Sequence, residues 1–267
     1  MSDEKLNNVM VVKIGGSTLG SQDTTFEDLV YLQQQGRPLV IVHGGAKLVT
    51  EWLTRQGTPT RIVRGERVTD RAALEMVTAV LGGLVNKEIV ATINILGGRA
   101  VGISGADGAL IQSRLRDDEM GYVGTVVKVE AGLLEALLKS GYVPVVAPLG
   151  LYAFDRPSDA PRLLNINGDI LAGEIAAAIG AEELIFLTDV VGICNQEGKL
   201  LPKLSPQEAE TMMASGEASG GMIPKIRGCL MALSRIRVAR IIDGRQPHAL
   251  LREVEGRGEG TTIEVPK

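Results

Sequence analysis

The feature that most restricts the fold of this 267-residue chain is the regular alternation of short apolar runs with longer amphipathic stretches. A short run of Val, Ile and Leu without polar alternation is a strand covered on both faces, and a sheet of such strands needs helices above and below it. The runs predict strands over 9–14, 38–43, 99–103, 143–148, 183–188 and 237–242. The stretches between them predict helices near 24–35, 46–56, 71–96, 131–140, 169–179, 205–214 and 224–236. Strands alternating with helices in this way give an α/β fold with a single open, mostly parallel central sheet and helices on both faces, a three-layer α/β/α architecture. Phe154 to Pro161, rich in Pro and Asp, reads as a surface loop or hairpin tip.

In such a sheet ligands bind beyond the carboxyl ends of the strands, so the residues that follow each run carry the information about function. Five ends stand out: Lys13-Ile14-Gly15-Gly16, His43-Gly44-Gly45, Ser104-Gly105-Ala106-Asp107-Gly108, Thr188-Asp189-Val190-Val191-Gly192 and Asp243-Gly244-Arg245. Any one of these alone is ordinary turn chemistry. A lysine where a strand leaves the core, beside glycines whose N–H groups nothing shields, makes a pocket for an anion. Lys13 precedes its glycines, so this is not a P-loop, and neither G-x-G-x-x-G after a strand nor G-x-S-x-G occurs.

Composition narrows the partners. Lys+Arg number 28 against Asp+Glu 32, and a net charge of −4 gives no reason to expect nucleic acid or an anionic membrane. The polar Met1-Ser2-Asp3-Glu4-Lys5 start and the lack of a run of about 18 apolar residues point away from export and membrane spanning. Cys194 and Cys229 lack metal-type spacing, which fits a reducing cytoplasm. With two histidines and no HExxH, a His-rich metal site is not expected.

The remaining motifs each have a plain structural reading beside a functional one. Gly44-Gly45 is either a strand-to-helix turn or an anion site at a helix N-terminus, and His43 reads as a packing histidine. Arg67, just before the helix cap Thr69-Asp70, is either solvated or a fork for a carboxylate. Asn165 and Asn167 alternate in an extended stretch and present both amides on one side, and Asp169 follows at a helix start, where a capping role is the plain reading. Lys225 follows Pro224 near another helix N-terminus and opposes the helix dipole, which marks it for function.

Taken in order, V-V-K-I-G-G, V-I-V-H-G-G, G-E-R-V-T-D, G-L-V-N-K, N-I-N-G-D, L-T-D-V-V-G-I and G-G-M-I-P-K resemble the amino acid kinase family over nearly the whole chain, most closely its branch that acts on N-acetyl-L-glutamate. The resemblance implies ATP-dependent phosphorylation of a γ-carboxylate, a step of arginine biosynthesis. It implies that Lys13 and Lys225 stabilise the transition state and that Asp169 orients both. It assigns Gly44, Gly45, Arg67 and Asn165 to the amino acid, and Gly15 and Gly16 to the transferring phosphoryl. Asp189, Val190, Val191, Gly192, Ile193 and Cys194, with Gly221 and Met222, are assigned to the nucleotide. Mg2+ is expected on the ATP phosphates, with no dedicated protein metal site.

The chemistry suits these residue types. Phosphoryl transfer spreads charge over several oxygens, so placed cations and amides matter more than covalent chemistry. A glutamate-type carboxylate ordinarily titrates near ~4.3, so the nucleophile is already ionised and needs no general base. Two departures from the branch's pattern, Ala46-Lys47 after the second glycine pair and Gly168 before Asp169, leave a carrier-bound α-aminoadipate as an alternative substrate. A ligand sensor on the same fold is the non-catalytic alternative. The resemblance further implies a homodimer without strong arginine inhibition, because only 12 residues precede Lys13. Residues 1–180 are read as the amino-acid lobe and 181–267 as the ATP lobe, with Leu74, Val77, Val80, Leu81 and Leu84 as either core or dimer face.

Overall fold

The computed structural model describes residues 8–15, 24–63 and 65–266. The chain runs through β1 (Met10–Ile14), α1 (Thr25–Gln34), β2 (Leu39–His43), α2 (Ala46–Arg55) and a hairpin of β3 (Ile62–Val63) and β4 (Glu66–Arg67). One long helix follows, made of α3 (Arg71–Val77), a π-helical stretch (Thr78–Val85) and α4 (Asn86–Ile95). Next come β5 (Ala100–Ser104), β6 (Ile111–Leu115), β7 (Gly124–Val129), α5 (Gly132–Lys139), β8 (Val143–Ala147), β9 (Leu149–Tyr152) and β10 (Leu163–Asn165). The C-terminal part contains α6 (Gly168–Ile179), β11 (Glu183–Thr188), β12 (Lys203–Leu204), α7 (Pro206–Ser215), α8 (Met222–Leu233), β13 (Val238–Asp243), α9 (Ala249–Val254) and β14 (Gly260–Glu264).

The central sheet has the order β12-β14-β13-β11-β1-β2-β8-β5 and is parallel except for the β13–β14 pair. Side-chain alternation divides it between two cores. Val9 and Val11 of the first strand region, with Val40 and Val42, face α6 and α8, whereas Met10, Val12, Ile14 and Ile41 face α1, α2 and the long helix. Burial on both faces explains why the inner strands β1, β2, β8 and β11 are largely apolar. It also fixes where the one charge in β1 goes, because Lys13 lies in register with Val9 and Val11 on the α6 side.

Chain order runs from β1 outward through β2 on one side and returns through β11 on the other. The switch point of the fold is thus the crevice at the carboxyl ends of β1 and β11, where open α/β sheets take their ligands. Lys13 pairs with Phe186 in that register, one residue short of the crevice.

The expectation of a single sheet needs correction. A second sheet of order β10-β9-β6-β7, with antiparallel pairs at both ends, lies beside the carboxyl ends of the central strands. Its strands are half exposed and mix polar with apolar residues, as in Ile111-Gln112-Ser113-Arg114-Leu115, so they lack the unbroken apolar signal of the central strands. Residues 154–161 connect β9 to its antiparallel partner β10 and form a hairpin tip.

The stretch Arg71–Ile95 is long and apolar enough to cross a membrane by composition. Here it packs on the sheet: Leu74, Val77, Val80 and Leu81 are buried in the core, so of the five residues considered for a dimer face only Leu84 remains exposed.

Candidate active site

Three helices begin at one place. The N-termini of α2, α6 and α8 meet around a cavity of about 230 Å³, lined by Gly44, Gly45 and Ala46, by Asn167, Gly168 and Asp169, and by Gly221, Pro224 and Lys225. The dipoles of three helix starts favour negative charge in the space between them.

At the centre lies Asp169. Its Oδ1 is 2.6 Å from Lys13 Nζ and its Oδ2 is 3.2 Å from Lys225 Nζ, with the carboxylate side chain 9% exposed. Burial pushes the Asp169 pKa up, but the charges of Lys13 and Lys225 and their hydrogen bonds outweigh it, and the group is held below its ordinary value. A carboxylate so depressed contributes stability in full above the ordinary carboxylate range and loses it as the pH falls. Thermal denaturation between about pH 3 and pH 7 is expected to show this acid limb flattened in Asp169→Asn.

Asp169 is not the helix cap. Asn167 caps α6, its Oδ1 accepting from the N–H groups of Asp169 (2.9 Å) and Ile170 (3.3 Å). The asparagine satisfies the helix start and leaves the aspartate free to hold lysines. By contrast Asp70 caps α3 as expected, accepting from Ala73 N at 2.8 Å.

The two helices that carry this triad are locked together by glycines. A Cβ on Gly173 would lie 2.2 Å from Gly228 O, and one on Gly228 would lie 2.3 Å from Asp169 O. Neither glycine has a positive φ, so each is required by the approach of two backbones. Asp169 and Gly173 stand one turn apart on α6, as Lys225 and Gly228 do on α8, and the crossing sets the spacing of the charges.

Gly45 is required for a different reason. Its φ is +142°, and a Cβ there would sit 2.6 Å from Leu81 Cδ2. Gly15 and Gly44 spend their N–H groups on the sheet, donating to Leu187 O (3.0 Å) and Ile14 O (2.9 Å). What they offer the site is the absence of a side chain. Gly16 lies outside the described residues.

Arg67 is buried, with 8% exposure, and lies across the N-terminus of α2. Its Nη2 donates to Ala46 O (2.9 Å) and Thr50 Oγ1 (2.6 Å), and its Nη1 to Thr60 Oγ1 (3.2 Å). Burial lowers its pKa, yet guanidinium keeps its charge. Among the described residues it makes no ion pair. A buried cation held only by neutral oxygens is arranged for an anion that comes from outside the chain.

Asn165 Nδ2 donates to Thr69 Oγ1 (3.0 Å), which in turn donates to Arg67 O (3.0 Å), so the asparagine and the arginine share one scaffold. His43 is fully buried. Its Nδ1 donates to Gly44 O (2.8 Å), its Nε2 accepts from Asn86 Nδ2 (3.3 Å), and burial pushes its pKa down to about 4. A neutral, doubly bonded imidazole is a packing histidine.

The cavity therefore gathers Lys13, Gly44, Gly45, Arg67, Asn165, Asp169, Gly221 and Lys225. The turn Asp189 to Cys194 does not line it. Asp189, Val190 and Val191 follow the end of β11, with both valines exposed. Gly192 has a φ of +143°, while Ile193 is buried and its N–H donates to Thr261 Oγ1 at 2.8 Å. Cys194 forms an isolated bridge with Leu200, and Met222 starts α8 beside Gly221.

Sequence reasoning missed Asn167 as the cap, Thr50 and Thr60 as the seat of Arg67, and the glycine crossing. Two of these had a signal: asparagine is favoured just before a helix, and Gly173 and Gly228 stand inside helices, where glycine costs about 1 kcal/mol against alanine and needs a packing reason.

This chain is similar over most of its length to several known proteins. Acetylglutamate kinase of Dehalococcoides mccartyi (strain CBDB1) is 49% identical, over 96% of this chain and 94% of its own. Acetylglutamate kinase of Cereibacter sphaeroides (strain ATCC 17029 / ATH 2.4.9) is 44% identical, over 96% and 87%. Among solved structures, N-acetylglutamate synthase from Neisseria gonorrhoeae, complexed with coenzyme A and N-acetyl-glutamate, superposes with a TM-score of 0.83 at 25% identity, over 97% of this chain and 60% of that one. An isopentenyl phosphate kinase, at 20% identity and a TM-score of 0.67, shares the fold over 96% of this chain and 100% of its own. The amino acid kinase family pattern matches residues 8–243, and the chain belongs to that family.

Proposed function

We propose that this chain transfers the γ-phosphoryl group of ATP to the γ-carboxylate of N-acetyl-L-glutamate, giving an acyl phosphate in arginine biosynthesis. The observation that carries the reading is the buried Asp169 held between Lys13 and Lys225 where three helix N-termini meet. Two anions, a carboxylate and a triphosphate, must be brought together, and this site has the charge to hold them. The full-length similarity to acetylglutamate kinases supports the substrate.

In this reading Arg67 and Asn165 hold the acceptor, with Gly44 and Gly45 beside it at the start of α2. Lys13 and Lys225 lie against the transferring phosphoryl with Gly15 and Gly16 at the strand end, and Asp169 keeps both ammonium groups aimed at it. The turn from Asp189 to Cys194, with Gly221 and Met222, borders the nucleotide. The acceptor carboxylate is ionised at neutral pH, so no base is required, in keeping with the neutral His43. Both Asp169 oxygens are taken by lysines, and among the described residues no three His, Cys, Asp or Glu side chains cluster as a metal site. Mg2+ is read as carried on the phosphate oxygens of ATP and through water. Residues up to about 180 act as the amino-acid lobe and 181–267 as the ATP lobe, in a cytoplasmic homodimer.

Arg67→Ala is expected to raise the KM for N-acetyl-L-glutamate at least about tenfold while kcat changes little, since it removes binding common to ground and transition states. Steady-state kinetics with varied acceptor check this, and an unchanged KM would remove Arg67 from the acceptor site.

One observation favours a second substrate. A Cβ at Gly168 would sit 3.3 Å from His43 O and 3.7 Å from Lys13 Cε, so glycine leaves about a methyl group of space beside Lys13. A longer acceptor, carrier-bound α-aminoadipate, would use that space. Turnover of both acceptors by the same preparation separates the two.

A further inference from the structure

Within Gly65-Glu66-Arg67-Val68-Thr69-Asp70 the residue before the substrate arginine is itself charged, and nothing in the proposed reaction uses it. Glu66 lines the active-site cavity, a space otherwise built for anions. Its side chain is 13% exposed, and its Oε1 is 2.7 Å from Arg116 Nη1. Arg116 lies outside the lining of that cavity. It follows β6, where its N–H donates to Val123 O (3.0 Å), and it lines a smaller cavity of about 170 Å³ behind Glu66.

The hairpin that carries Arg67 has two residues in each strand and is too short to hold itself in place. Just beyond it the backbone joins the β6–β7 connection, Thr69 N–H donating to Met120 O (3.0 Å) and Tyr122 N–H to Thr69 O (2.7 Å). The hairpin itself is tied there by side chains: Arg116 reaches Glu66, and Arg61 Nη2 donates to Glu119 O at 2.9 Å. Arg116 has a second acidic neighbour, Asp117, 3.4 Å from its Nε, so it stays compensated if Glu66 is removed. Glu66 has no other cation among the described residues. The pair is therefore asymmetric: losing Glu66 loosens the hairpin, whereas losing Arg116 also exposes a carboxylate to an acidic substrate.

We propose that Arg116 is a positioning residue for acceptor binding, which latches the Arg67 hairpin to the second sheet and masks the Glu66 charge from an anionic acceptor. The proposal rests on the acceptor being the acidic amino acid argued above. Arg116 acts through Arg67 and the field in the cavity and touches no reacting atom.

The test compares Arg116→Met, Glu66→Gln and the double variant in steady-state kinetics with N-acetyl-L-glutamate and ATP. Arg116→Met raises the acceptor KM about tenfold with kcat within about twofold of the parent. Glu66→Gln raises it about two- to threefold, and the double variant matches Glu66→Gln, having lost the latch without baring a charge. Equal KM values in Arg116→Met and Glu66→Gln, or a parallel fall of kcat, overturn the proposal. Deuterium exchange of the β3–β4 hairpin without substrate, faster in all three variants than in the parent, reads the latch independently, and unchanged exchange overturns it. If the parent turns over no N-acetyl-L-glutamate, the substrate reading fails and the latch stands or falls on the exchange alone.

Discussion

Lys13→Ala and Lys225→Ala should each lower kcat by about 10²–10³ while leaving the KM for the acceptor within a few-fold of the parent. Both lysines contact the same carboxylate, yet they come from opposite sides: Lys13 from the end of β1 and Lys225 from the first turn of α8. A lysine four residues into a helix works against the dipole, so its place there is maintained at a cost in local stability. The gain has to come from charge that develops only during transfer. Removing one lysine leaves Asp169 neutralised by the other, so folding survives and the loss falls on the transition state. Measuring kcat and KM on variants with parent-like circular dichroism checks this, and a rise in KM with unchanged kcat would mean that the lysines serve binding alone.

Gly228→Ala is expected to have a large effect for a single added methyl group. The new Cβ would meet Asp169 O at 2.3 Å and Phe186 Cζ at 2.9 Å, and the first of these is backbone that cannot rotate away. Overpacking of this kind costs about 1–3 kcal/mol, which for a chain of this size lowers Tm by roughly 2–10 °C. Because the displaced helices carry Asp169 and Lys225, kcat should fall at least about tenfold in the protein that remains folded. Gly132→Ala, where nothing lies within 4 Å, is the control and should leave both quantities unchanged. Equal behaviour of the two variants would show that the glycine crossing has no part in holding the site.

The inner strands of the central sheet were legible in the sequence because burial on both faces leaves a nearly unbroken apolar run, and Lys13 stood out against that background. The strands β12 and β14 at one edge, short or mixing polar with apolar residues, were not. The second sheet was not, since its half-exposed strands read like loops. The same contrast holds at the site. Lys225 could be found because it violates a local preference, and Gly44-Gly45 because it follows a strand. Thr50 and Thr60 obey every local rule, and their roles come from which elements the fold brings together, whereas Asn167 acts locally as the cap of its own helix. Asp169 lay between these cases: its position at a helix start suggested a cap, and only the packing of α6 against β1 and α8 shows that it holds two lysines.

If this cavity moves a phosphoryl group from ATP to a carboxylate, a coupled ADP-release assay with N-acetyl-L-glutamate, glutamate and α-aminoadipate as acceptors reads it most directly. Release that depends on N-acetyl-L-glutamate and is lost in Lys225→Ala is the expected result. ATP binding without turnover of any acceptor would contradict this chemistry and make the site a sensor.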